Sequence, residues 1–260
     1  MVDKVISSDG TTIAFERSGA GPALIMVDAA GSYRDFRPLR PPVERLAEHF
    51  TVYVYDRRGR GPSGDTPPYA VGREVDDLAA LVAEAGGSAS LYAMSSGGLL
   101  ALHAAASGLA VPRLALFEPP VEPNEVPTGE TEFTTELAAL VAAGRRREAV
   151  ELFHRGIGVP EEVMAQMTPS VWAALEAVAP TLVYDCRLSE AMSLPLIRAV
   201  TTPTLVLDSQ GSSGDLTGMS AAVVTALPNG VHRSLAGAWH GVPDETLAPV
   251  LIEFLGRDGG

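Results

Sequence analysis

Cysteine, lysine and tryptophan are scarce in this chain. A single cysteine, Cys186, in 260 residues excludes an internal disulfide. Lys4 is the only lysine, and 19 basic residues stand against 32 acidic ones, a net charge of −13. That balance argues against nucleic acid and anionic membranes as partners, since both need a basic face. The one dense basic group, Arg145-Arg146-Arg147, falls in a stretch with helical spacing and reads as a solvated helix face. No apolar run reaches the roughly 20 residues of a membrane helix. The start, MVDKVISSDG, lacks the charged and apolar blocks of a secretory signal. A cytoplasmic protein is expected. Neither a His-Glu-x-x-His pattern nor a Cys/His cluster is present, so neither metal nor cofactor is expected.

What is present is a globular composition, 46% apolar and 20% charged, with the alanine- and arginine-rich bias of a GC-rich bacterial genome. Short apolar runs alternate with helical stretches. KVIS and TTIAFERS read as an antiparallel pair around Asp9-Gly10. Strands follow at 23–28, 51–56, 90–93 and 113–118, with helices at VERLAEHF, 73–86 and GGLLALHAAASG between them. After Glu118 the rhythm breaks into a Pro- and Glu-rich linker, PPVEPNEVPTGETE, and four or five short helical segments up to about Arg198. Alternation then resumes with a strand at 202–208, the helix GMSAAVVTALP, the strand VHRSLAG, a closing helix and a frayed GRDGG tail. The pattern predicts an α/β protein, a mostly parallel sheet flanked by helices. Residues 119–201, too long for a loop, are expected to form an inserted helical cap on a core of residues 1–118 and 202–260.

In open parallel sheets, ligands sit at the carboxyl ends of the strands. The unusual polar segments gather there: Asp28-Ala29-Ala30-Gly31 after the third strand, YDRRGRGPSGDT after the fourth, Ser95-Ser96 after the fifth. Glu118-Pro119-Pro120 follows the sixth strand, Asp208 to Asp215 the seventh and Trp239-His240-Gly241 the eighth. Four of these features make the chain resemble the α/β-hydrolase family over nearly its whole length. They are the strand-turn-helix Ala93-Met94-Ser95-Ser96-Gly97-Gly98, the Asp-x-Arg-Gly-x-Gly-x-Ser segment at Asp56–Ser63, a His-Gly before the last helix, and a nucleophile that precedes the histidine.

The resemblance implies a serine nucleophile. The family elbow is Gly-x-Ser-x-Gly, and the frame centred on Ser95 puts small Ala93 and Gly97 where strand and helix nearly touch. The frame centred on Ser96 would put bulky Met94 there. The Ser96 N–H and a main-chain N–H near Ala29 or Ala30 are the implied oxyanion donors. His240 is the implied base, since a free imidazole titrates near about 6.5. His49, His103, His154 and His232 fall on helices, the cap or a strand. The family's usual acid follows the seventh strand, where this chain has Ser209 to Ser213. Some members, such as haloalkane dehalogenases, carry it after the sixth strand instead, which favours Glu118, with Asp208 and Asp215 as alternatives.

Asp28 stands where the family usually has His-Gly, and a pairing with Arg57 or Arg58 would keep its charge from an oxyanion. Asp28, Met94, Trp172 and Trp239 are expected to contact substrate. The implied activity is a serine hydrolase acting through an acyl-enzyme on a small or medium apolar ester, lactone or thioester. A non-hydrolytic enzyme of the same fold (cyclase, lyase or C–C bond chemistry) and a catalytically silent small-molecule binder are the alternatives.

Overall fold

The computed structural model describes residues 2–36, 42–121, 124 and 126–256. The tail expected after Gly256, and residues 122, 123 and 125 of the expected linker, lie outside them. An antiparallel pair, β1 (Asp3–Ile6) and β2 (Thr12–Ser18), opens the chain. β2 also pairs antiparallel with β4 (Thr51–Tyr55). All the later pairings are parallel: β3 (Ala23–Val27), β4, β5 (Ser90–Met94), β6 (Leu114–Phe117), β7 (Thr204–Ser209) and β8 (Gly230–Leu235). The sheet order is β1-β2-β4-β3-β5-β6-β7-β8.

Parallel neighbours need crossovers long enough for a helix. These are α1 (Val43–Leu46), α2 (Val71–Glu84), α3 (Ser96–Ala106) and α10 (Gly214–Ala226), with α11 (Asp244–Leu255) closing the chain. Between β6 and β7 lie α4 (Glu132–Ala142), α5 (Arg146–Gly156), α6 (Glu161–Ala165), α7 (Pro169–Val178), α8 (Leu182–Glu190) and α9 (Leu194–Arg198). Among the described residues that is six α-helices where the sequence suggests four or five helical segments. The helix expected over VERLAEHF is a single turn that gives way to a bend before β4.

Strand parity divides the core. Ile25, Val27, Leu91, Ala93, Leu114 and Leu116 pack with α2 and α3 on one face. Leu24, Met26, Tyr92, Met94, Ala115 and Phe117 pack with α11 on the other. A sheet buried on both faces needs continuous apolar strands, and β3 to β7 have them. A third cluster (Leu137, Val150, Phe153, Trp172, Leu175 and Leu182) is built mainly from α4–α8, with Ala30 and Phe36 packed against it. Ile197 of α9 returns to the first sheet core. Among the described residues no helix is long and apolar enough to cross a membrane.

Candidate active site

The β5–α3 turn is a point of close backbone approach at the sheet's carboxyl edge. A Cβ on Gly97 would lie 2.4 Å from the Val27 carbonyl oxygen and 2.7 Å from that of Asp28, so only glycine lets α3 abut the end of β3. Fully buried Ala93 fills the matching position on the strand. The turn forces Ser95 into φ 49°, ψ −126°, with its N–H on the Phe117 carbonyl at 2.9 Å and its hydroxyl in no capping bond.

Two other non-glycine residues have positive φ among the described ones, Glu118 (45°) and His240 (50°). The Glu118 N–H is anchored on Leu207 O (2.9 Å), and the His240 N–H donates to Ser212 Oγ (2.9 Å). His240 Nδ1 meets Glu118 Oε2 at 2.5 Å, and Glu118 Oε1 accepts the Ser209 N–H at 2.8 Å. Glu118 is fully buried and His240 nearly so. A carboxylate only accepts, so Nδ1 carries the proton and Nε2 is left as an acceptor.

Ser95, Ser96, Ala30, Trp239 and His240 line one cavity of about 610 Å³ beneath α4, α5 and α8. A hydroxyl and a carboxylate-held imidazole on one cavity are the groups needed to take a proton from the hydroxyl and return it to a leaving group. Leu99, Phe133, Phe153, Ile157, Leu216 and Met219 supply the apolar wall. Among the described residues no cluster of three or more histidine, cysteine or acidic side chains stands ready for a metal.

The structure separates the remaining candidates. Asp208 does not reach His240: its Oδ2 lies 2.6 Å from Nε2 of His232 on edge strand β8. Asp215 is exposed in the first turn of α10, at the cavity mouth. Met94 is not a cavity residue, because strand parity sends it into the core facing α11. Trp172 does not line the cavity of Ser95 and His240 either. It packs in the α4–α8 core, with the Arg147 guanidinium 3.3 Å over its ring centroid. All three arginines of Arg145–Arg147 are exposed, as a solvated helix face would be, and Arg147 also covers the Trp172 ring.

Asp28 is buried and does not line the cavity. Neither Arg57 nor Arg58 is bonded to it. Arg57 forks onto Glu74 (2.8 and 2.9 Å) and Arg58 onto Asp77 (2.8 and 2.8 Å), because the i, i+3 carboxylates of α2 face the end of β4. Ala29 packs its methyl into the α11-side core, and its carbonyl is taken by Arg60 (2.7 Å).

Two cavity residues carry no sequence signal of their own. Asp185 of α8 bonds Ser96 Oγ (2.8 Å), Arg57 (2.6 Å) and Arg60 (2.7 Å). Burial would raise its carboxyl, but Arg60 and Arg57 outweigh that and hold it below the ordinary carboxylate value. The signal that could have found it is Arg57 and Arg60 at a strand end, which must be matched by carboxylates if buried. The second is Cys186, whose thiol burial pushes up to about 12.

Known proteins place the chain in context. A pimeloyl-[acyl-carrier protein] methyl ester esterase from Xanthomonas campestris pv. campestris (strain B100) is 40% identical over 101 residues. That match covers 38% of this chain and 37% of the relative, so the chain spans little more than a third of the curated relative's length. The crystal structure of an alpha/beta hydrolase from Sphaerobacter thermophilus DSM 20745 superposes with a TM-score of 0.87 at 46% identity, covering 97% of this chain and 99% of the other. The enol-lactonase from Burkholderia xenovorans LB400 shares the fold at 19% identity and TM-score 0.76, covering 98% of this chain and 100% of the other. Residues 19–251 match the model of the alpha/beta hydrolase family, and the chain belongs to that family.

Proposed function

We propose that the protein is a serine hydrolase that cleaves a small or medium apolar ester, lactone or thioester through an acyl-enzyme. The observation that carries this is a strained Ser95 and a His240 held by Glu118, both lining one cavity. Ser95 Oγ attacks the carbonyl as His240 Nε2 takes its proton. Negative charge then grows on the carbonyl oxygen. The N–H of Ser96 has no intrahelical partner, as at any first helical residue, and meets that charge together with the helix dipole and an N–H of the Ala29–Ala30 loop. His240 returns the proton to the leaving group. Water, activated by the same imidazole, releases the acid.

Glu118 holds the tautomer and stabilises the imidazolium, a role for which its two satisfied oxygens suit it. The exposed Asp215 and the displaced Asp208 have no such contact with His240. In this reading α4–α9, within residues 119–201, form a cap over a core of residues 1–118 and 202–260, and the apolar wall of the cavity selects apolar substrates. Trp239, 40% exposed and beside His240, is a pocket wall. The named esterase and lactonase among the relatives support an ester-like bond as the target.

A fluorophosphonate probe tests the reading. Intact protein labels at Ser95, Ser95→Ala does not, and p-nitrophenyl butyrate turnover disappears with the label. An intact protein that hydrolyses the ester without labelling, or labels elsewhere, rejects it.

A further inference from the structure

We propose that Asp185 is a positioning residue that holds both sides of the oxyanion site in register from the helical layer above them. The proposal rests on the serine-hydrolase reading. Asp185 Oδ1 accepts from Ser96 Oγ (2.8 Å) and from Arg57 Nη1 (2.6 Å), and Oδ2 accepts from Arg60 Nη2 (2.7 Å). Arg60 extends the connection. Its Nη1 donates to the carbonyls of Ala29 (2.7 Å) and Ser32 (3.2 Å), and its Nε to Thr181 Oγ1 (3.1 Å), one turn before Asp185. One carboxylate thus grips residue 96 directly and the 29–32 loop through a single guanidinium. Those are the two segments that carry the oxyanion N–H groups.

The network is suited to precision. Ser96, Asp185, Arg57 and Arg60 are each at most 5% exposed, so water does not compete for these bonds. Arg57 is fixed from behind by Glu74. Two guanidinium groups and two carboxylates cancel, so Asp185 brings no net charge to oppose an oxyanion. The Asp185–Ser96 bond spans 89 residues of sequence and joins α8 to the first residue of α3. Seating of the helical layer and placement of the oxyanion donors are therefore one event.

Two variants separate positioning from simple attachment. Asp185→Asn breaks the charge pair with Arg60. Ser96→Ala removes only the hydroxyl and keeps both the backbone N–H and the ion pairs. Competent sites are first counted by fluorophosphonate labelling to completion, and kcat and KM are then measured with p-nitrophenyl butyrate. Outright loss of an oxyanion donor costs about 100- to 1,000-fold. A displaced donor should cost less: kcat per labelled site falls about 10- to 100-fold in Asp185→Asn and about 3- to 10-fold in Ser96→Ala, with KM within about threefold.

A merely structural carboxylate would lower Tm and the labelled fraction and leave kcat per labelled site unchanged in both variants, which overturns the proposal. If Asp185→Asn does not fold, Ser96→Ala decides alone: an unchanged kcat overturns it and a reduced kcat with unchanged Tm sustains it. A wild-type protein that never labels removes the serine reading and this proposal together. A wild type that labels normally beside unaffected variants removes only this one.

Discussion

Two carboxylate–histidine pairs end neighbouring strands of this sheet, and they are nearly equal in length: Glu118–His240 at 2.5 Å and Asp208–His232 at 2.6 Å. Only their surroundings differ. Glu118 satisfies both oxygens, on His240 and on the Ser209 N–H, and its histidine lines the cavity that Ser95 also lines. Asp208 has no hydrogen-bond partner for Oδ1 among the described residues, and its histidine stands on an edge strand with 35% of its side chain exposed. On the proposed reading the same short contact serves a reaction in one place and a sheet edge in the other. What separates them is the cavity that His240 shares with Ser95, not the length of the contact.

The largest effect should come from His240→Ala, which is expected to lower kcat/KM for p-nitrophenyl butyrate by about 10⁴-fold or more. A comparable loss in His232→Ala would break the comparison. Next comes Glu118→Gln, which keeps the shape but supplies a donor where an acceptor is needed. Steady-state kinetics should show a loss of about 10²- to 10⁴-fold, while Asp208→Asn stays within about twofold.

The two tryptophans sharpen the same point about place. Trp172→Ala should lower unfolding free energy by about 3–5 kcal/mol in urea titration, because it empties the α4–α8 core. Its KM should be unchanged. Trp239→Ala should raise KM and shift stability by less than about 1 kcal/mol, its ring being already partly exposed.

A smaller effect follows from two histidines that meet backbone carbonyls instead of carboxylates. Burial is the main cause that holds His103 and His154 below the ordinary imidazole value, with Leu188 O and Val150 O working weakly against it. Unfolded, both titrate near about 6.5. Below that pH the unfolded chain binds protons that the folded chain does not. Stability should therefore fall as pH drops from about 7 through 6.5 towards the depressed folded values. Urea titrations across that range check the slope, and His103→Gln should flatten it. The smallest change should be in activity for His232→Gln, within about twofold of the parent.

The comparison also shows where sequence reading succeeds. β3 to β7 are legible because a sheet buried on both faces leaves unbroken apolar runs. Ser95 is legible because the turn that exposes it demands Ala93 and Gly97 beside it. Glu118 is distinguishable from Asp208 only weakly along the chain, since both close apolar strands; in the structure they differ in the histidine each meets, His240 and His232. Met94 misleads for want of strand parity, which assigns it to the opposite core from Ala93. Trp172 misleads because an aromatic in a short helix does not declare which side packs. Arg57 and Arg58 look like partners for Asp28 along the chain, but the α2 carboxylates reach them first. Asp185 is invisible in one dimension: nothing in LVYDCRLSE marks one acid as the partner of a residue 89 positions earlier.

The three non-glycine residues with positive φ among those described carry a practical warning for anyone who re-engineers this chain. Each holds a conformation that costs a side-chain-bearing residue about 1–3 kcal/mol, against a net stability of about 5–15 kcal/mol for a whole domain. Glycine would relieve the backbone at 95, 118 and 240. A screen for heat resistance alone would thus be drawn to the positions whose side chains the proposed chemistry needs, and on that reading its hardiest products would be inert.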